Sequence, residues 1–210
     1  MSKERNIETL PLDGGVLCFD FINTVHSWRG ENLHEYLDSY AAVLQWSGKV
    51  EILSAKRKKL LQHYASQHAE QTAKALERIK SVRQLLYQFF ATIAAGDTEA
   101  LPNELLQQFN MVLSNALSHI RFSKNKARLE QDWEEDNTDL LQPLWVVLKS
   151  AYDVLTGEDP QRIKECPACG WMFLDHTKNN KRRWCSPHSC GSIEKTKKYY
   201  QKKKQETSNA

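Results

Sequence analysis

Four of the five cysteines fall in one short stretch, spaced Cys166-x2-Cys169, fifteen residues, then Cys185-x4-Cys190. Two close pairs joined by a loop of this length are what a tetrahedral zinc ion requires. Each pair wraps its backbone round the metal, and the loop brings the pairs together. Gly170 follows the second thiol, where the chain must turn sharply. His176 and His188 are competing donors, and His188 lies inside the second pair, so three cysteines with His188 is an alternative to four cysteines. Four thiolates leave no open coordination position and carry net charge −2 with the metal. The expectation is therefore one structural Zn²⁺ per chain and no metal-based catalysis.

The same stretch is basic. Residues 161–210 hold 12 Lys and Arg against four acids, or +8, so the rest of a chain of net charge +3 carries −5. That is the footprint of a polyanion-binding module, although a solvated tail has the same charge. Trp171–Leu174 and Arg182–Trp184 read as two strands joined by a turn at 177–181. Ser192 reads as the cap of a following helix, and the whole as a treble-clef-like finger. Lys178, Lys181, Arg182 and Arg183 fall on that hairpin, and Lys195, Lys197, Lys198 and Lys202 on that helix. These are the candidate nucleic-acid contacts, of a kind that neutralises phosphates without reading sequence. Trp184 reads as core packing beside a ligand.

The elements that must position this module precede it. Leu17, Phe21 and Val25 recur at helical spacing in 16–28, with a strand as the alternative because Leu17, Phe19 and Phe21 also alternate. A helix is expected over 33–46, capped by Asn32 and stopped at Gly48, and another over 54–68 capped by Ser54. The longest apolar stripe, Ala75 to Ile93, predicts a helix over about 70–95 ended by Gly96-Asp97. Pro102 opens the next, which runs to about 118. Alternation over 119–134 predicts a β-hairpin turning at Lys124–Lys126, and 138–156 returns to helix. The fold class is thus mainly α. Residues 1–157 form a helical domain with one hairpin, and 161–205 a small α+β finger. Cys18 reads as a buried apolar residue.

At this point the chain resembles the CGNR zinc-finger family, which pairs an N-terminal ABATE domain with a C-terminal finger. LCFDFINTV at 17–25 resembles the opening signature of the former, and CPACGWMFLDHTKNNKRRWCSPHSCG at 166–191 resembles the latter. The resemblance implies a four-cysteine zinc finger, DNA binding, and a bacterial stress-linked transcription regulator whose N-terminal domain senses a ligand or partner. Asp20, Asn23, Thr24 and His26, in the signature region, are the candidate ligand pocket. The chain departs from the family where Cys190-Gly191-Ser192-Ile193 replaces Cys-Gly-Asn-Arg. A lysine nearby has no bidentate fork to replace that arginine.

No apolar run approaches the roughly 20 residues of a membrane helix. The N-terminus has no apolar segment of signal-peptide type, so a cytoplasmic protein is expected. No catalytic motif is evident, and the chain reads as a non-enzyme. A nucleic-acid-binding regulator is the first reading, with DNA preferred to RNA. The small contact area of one finger makes a homodimer attractive. An adaptor whose finger docks an acidic protein is the alternative, and an enzyme acting through the N-terminal domain is a third.

Overall fold

The computed structural model describes residues 5–30, 34–134 and 138–208, without the side chains of 202 and 206–208. The chain is mainly helical. A 26-residue helix, α4 (Ala69–Ala94), runs through its centre, flanked by α1 (Leu17–Ile22), α2 (Tyr40–Lys49), α3 (Ala55–Gln67), α5 (Asn103–Leu117) and α6 (Gln142–Gly157). Two antiparallel hairpins interrupt this pattern. One is β1 (Ile120–Asn125) with β2 (Arg128–Trp133), and the other β3 (Ile163–Glu165) with β4 (Met172–Leu174). A last helix, α7 (Cys190–Ser208), follows. No helix among the described residues is long and apolar enough to cross a membrane.

α4 forms because its apolar residues repeat every three or four positions. Ala75, Ile79, Val82, Leu86, Phe89, Phe90 and Ile93 are all buried along one side. Phe90 takes Phe19 of α1 edge-on at 4.9 Å, and Phe89 stacks on Phe109 of α5 at 4.2 Å. Gly96, at φ 79°, turns the chain after the helix, as its position predicts. Ser54 caps α3 as expected, its Oγ accepting from the Arg57 amide at 3.1 Å. The same core continues into the cysteine-rich segment through Ile163, Cys166, Trp171, Met172, Phe173, Leu174 and Cys185.

Five local expectations need correction. The second helix starts at Tyr40, capped by the Ser39 hydroxyl, which accepts from the Ala42 amide at 3.2 Å. Asn32 and Leu33 lie outside the described residues. The stretch ahead of α2 is extended instead, bridging Val25 to Glu35. Buried Arg83 holds it there, donating to Thr24 Oγ1 and to both Glu35 carboxylate oxygens. Gly48 lies within α2, which runs one residue further. The first hairpin turns at Lys126-Ala127, with Lys126 at φ 51°, so Lys124 and Asn125 belong to β1. β4 pairs with β3, and Arg182–Trp184 is not a strand. Finally, α7 begins at Cys190, so Ser192 is inside it rather than its cap.

Candidate zinc centre and basic face

The first cysteine pair is the turn of the β3–β4 hairpin. The Cys166 amide donates to the Trp171 carbonyl, and the Gly170 amide to the Cys166 carbonyl, both at 2.8 Å. Gly170 sits at φ 76°, and a Cβ there would come within 2.7 Å of Trp28 Cβ. Only glycine fits this turn. Cys185 arrives from the loop after β4, and Cys190 opens α7.

The four Sγ atoms all lie within 4.8 Å of one another. Cys185 Sγ is 3.6 Å from both Cys169 Sγ and Cys190 Sγ. A tetrahedron of zinc–thiolate bonds of about 2.3 Å spaces its sulfurs by roughly 3.8 Å, so the donor set fits one structural zinc ion. His176 and His188 are not part of this cluster, which the four cysteines make alone. A zinc ion held by these four residues would cross-link hairpin turn, loop and helix, and four thiolates would leave no position for a substrate. Cys18, far from the cluster in sequence, is fully buried, and burial pushes its thiol up to about 12.

A second device folds the loop between the cysteine pairs. The Asp175 carboxylate, fully buried, accepts from Lys164 Nζ at 2.6 Å, Thr177 N at 2.9 Å, Thr177 Oγ1 at 2.6 Å and Arg182 N at 2.8 Å. Burial alone would raise this carboxyl, but the hydrogen bonds outweigh it and hold it below the usual carboxylate range. The Arg182 amide turned inward is why 182–184 cannot pair as a strand. Its guanidinium is occupied too. It donates to the carbonyls of Trp184, Asp13 and Cys185 and lies 4.6 Å over the Phe173 ring. Arg182 therefore holds the fold and does not present its charge to a partner.

The other candidate contacts divide. Lys178, Lys181 and Arg183 are exposed on the loop, with Arg183 5.1 Å over the Trp184 ring. Lys195 and Lys198 are exposed on α7. Lys197 lies on the opposite side of that helix, pairs with Glu194 at 2.8 Å and lines a cleft with Ile193 and Cys190. The Lys202 side chain lies outside the described residues.

The expected pocket of Asp20, Asn23, Thr24 and His26 does not form. Asn23 is buried and reads the β4 backbone with both ends of its amide. Nδ2 donates to the Met172 carbonyl at 2.8 Å, and Oδ1 accepts from the Met172 amide at 2.9 Å. Thr24 is buried between the Phe21 carbonyl and Arg83. Asp20 accepts from the Gly14 amide at 2.9 Å, and burial pushes its carboxyl up to about 6. Of the four, His26 alone lines the cleft between α7 and the helical body, which has a volume of about 470 Å³.

The segment after Asn23 clamps the knuckle. The Trp28 amide donates to the Cys169 carbonyl at 2.8 Å, as does the Ser27 hydroxyl at 3.0 Å. Arg29 donates to the Pro167 carbonyl and pairs with Glu165 at 3.1 Å. Trp171 Nε1 returns a bond to the Val25 carbonyl at 2.8 Å. The sequence reading missed Asn23 as a bridge, Lys164, and Asp175. The one available signal was an acid closing an apolar run inside an otherwise basic segment.

A helical body closed by a structural four-cysteine zinc finger is the class that this fold and site define. The chain belongs to the ABATE family, whose model, described as "Putative stress-induced transcription regulator", matches residues 15–158. The CGNR zinc finger model matches residues 162–203. No curated protein matches the chain at a significant level.

Proposed function

We propose that this chain is a bacterial, cytoplasmic transcription regulator that binds nucleic acid, DNA in preference to RNA, and catalyses no reaction. In this reading residues 1–157 sense a ligand or partner and residues 161–205 contact the nucleic acid. The observation that carries it is the division of α7 into two sides. Cys190, Ile193, Glu194 and Lys197 face the body of the protein. Lys195 and Lys198 face solvent, and with Lys178, Lys181 and Arg183 they make no ion pair among the described residues.

Exposed cations without an ion pair attract phosphate and release counterions on binding. A 19-residue helix is about 28 Å long and fits a DNA major groove, whereas the deep, narrow groove of A-form RNA excludes it. With Ser192 and Ile193 in place of the family's Asn and Arg, no guanidinium is available at that point for bidentate base contact. Phosphate contacts dominate, and a homodimer supplies the additional contact area that a specific site needs. The test is competition for the zinc-loaded chain between random duplex DNA and random RNA of equal length. The reading expects enrichment of duplex DNA. Enrichment of RNA, or of neither, overturns it.

A further inference from the structure

We infer that the cleft between α7 and the helical body binds a small aromatic monocarboxylate, its carboxylate toward Arg5, His26 and Tyr36 and its ring against Trp171 and Ile193. The proposal rests on the sensor reading above and gives it a ligand class and a place. The cleft volume of about 470 Å³ lies in the range of roughly 300–1,000 Å³ usual for small-molecule sites.

Several polar groups on its walls already have partners, while the Asp13 carboxylate has none among the described residues and burial raises its pKa. Ser27 and Arg29 hold the zinc knuckle, and Lys197 pairs with Glu194. The Arg5 guanidinium, the His26 ring and the Tyr36 hydroxyl make no hydrogen bond among the described residues. All three line the cleft. Arg5's charge acts on both others, and burial together with that charge lowers the His26 pKa. A guanidinium, a neutral imidazole and a phenol, all with free donors, suit an oxyanion.

The orientation follows from charge. Cys169, Cys185 and Cys190 also line the cleft, and four thiolates on zinc carry net −2. The thiolates and the Asp13 and Glu194 carboxylates disfavour an anion beside them, and Arg5, the cation on these walls without an ion pair among the described residues, draws it, which leaves the ring to the apolar lining of Trp171 and Ile193. Ile193 completes this apolar side at the position where the family motif has arginine. An arginine there would put a second cation beside the thiolates, whereas isoleucine offers a surface that a ring covers. A bound ligand would span Ile193 of α7 and the helical body, and so fix the helix that bears Lys195 and Lys198.

The experiment is calorimetric titration of the zinc-loaded full chain with benzoate, phenylacetate and indole-3-acetate, each beside its neutral primary amide. At least one acid is expected to bind saturably and about tenfold or more tighter than its amide. Arg5 and Ile193 are exposed, so Arg5→Gln and Ile193→Glu should each weaken that acid about tenfold while the melting temperature without ligand stays unchanged. Binding of none of the acids, equal binding of acid and amide, or wild-type affinity in Arg5→Gln overturns the proposal. DNA binding is measured separately without ligand. Saturable acid binding without DNA binding keeps the site and removes the regulator, and the reverse result does the opposite.

Discussion

The hairpin β1–β2 has six residues in each strand and leaves nearly all of them in solvent, with Phe122 and Leu129 66% and 67% exposed. The hairpin β3–β4 has three in each, yet Met172, Phe173 and Leu174 are fully buried. A two-stranded ladder is marginal by itself in water, so strand length says little about which hairpin the fold depends on. The short one is fixed at its turn by the zinc knuckle, along β4 by Asn23, and behind it by Asp175. The long one is attached at its base, where His119 stacks on Trp145 at 3.8 Å and bonds Glu134 at 3.0 Å. Anchors from outside the hairpin, and the burial they permit, separate the two.

The largest effect should come from the knuckle. Stripping zinc with a strong chelator, or Cys169→Ser, removes an apparent binding free energy of about 10 kcal/mol or more. Because β4 lies in the common core, calorimetry should show the whole chain melting earlier, not the tail alone. A helical part that keeps its own melting temperature would break the comparison.

Asn23→Ala comes next. It leaves the Met172 amide and carbonyl buried without partners, and should cost about 2–4 kcal/mol in urea unfolding. A loss below about 1 kcal/mol would mean that β4 does not depend on this bridge.

Acid then sharpens the contrast. Asp175 titrates below its unfolded value near 3.9, so its contribution is present above that pH and is lost as pH falls through the lower folded value. Asp20 has the opposite sign. With its carboxyl pushed up to about 6, its contribution is full below about 3.9 and is lost as pH rises through about 6. Urea midpoints against pH should show Asp175→Asn flattening the acid limb and Asp20→Asn flattening the slope between about 4 and 6. Slopes unchanged in both variants would contradict the assignments.

The smallest effect belongs to β1–β2. Phe122→Ser and Leu129→Ser should each shift stability by no more than about 0.5 kcal/mol, and the hairpin amides should exchange hydrogen early. A loss as large as that of Asn23→Ala would erase the distinction between the hairpins.

The same contrast explains what was legible in the sequence. The exposed hairpin was readable because Ile120 and Phe122 alternate with polar residues, and α3 to α6 because their apolar residues repeat at helical spacing. The cysteine cluster was readable because metal-ligand spacing is local. The buried hairpin was paired wrongly, since Ile163-Lys164-Glu165 is too short to show a period and its neighbour is chosen by the knuckle turn. The residues misjudged, Asn23, Thr24 and Arg182, and the one missed, Asp175, share one property. Each takes its role from a partner far along the chain or from a backbone atom, and apart from the acid that closes the apolar run at Asp175 neither leaves a mark in spacing or composition.

Phosphate binding by the solvent side of α7 is what the proposed function requires. Fluorescence anisotropy of labelled duplex DNA with the zinc-loaded chain, repeated over a salt series, tests it directly. The logarithm of affinity should fall linearly with the logarithm of salt concentration. Lys195→Gln with Lys198→Gln should reduce that slope by roughly 1.8 and leave the melting temperature unchanged. Binding that ignores salt, or the same slope in the double variant, would contradict the claim.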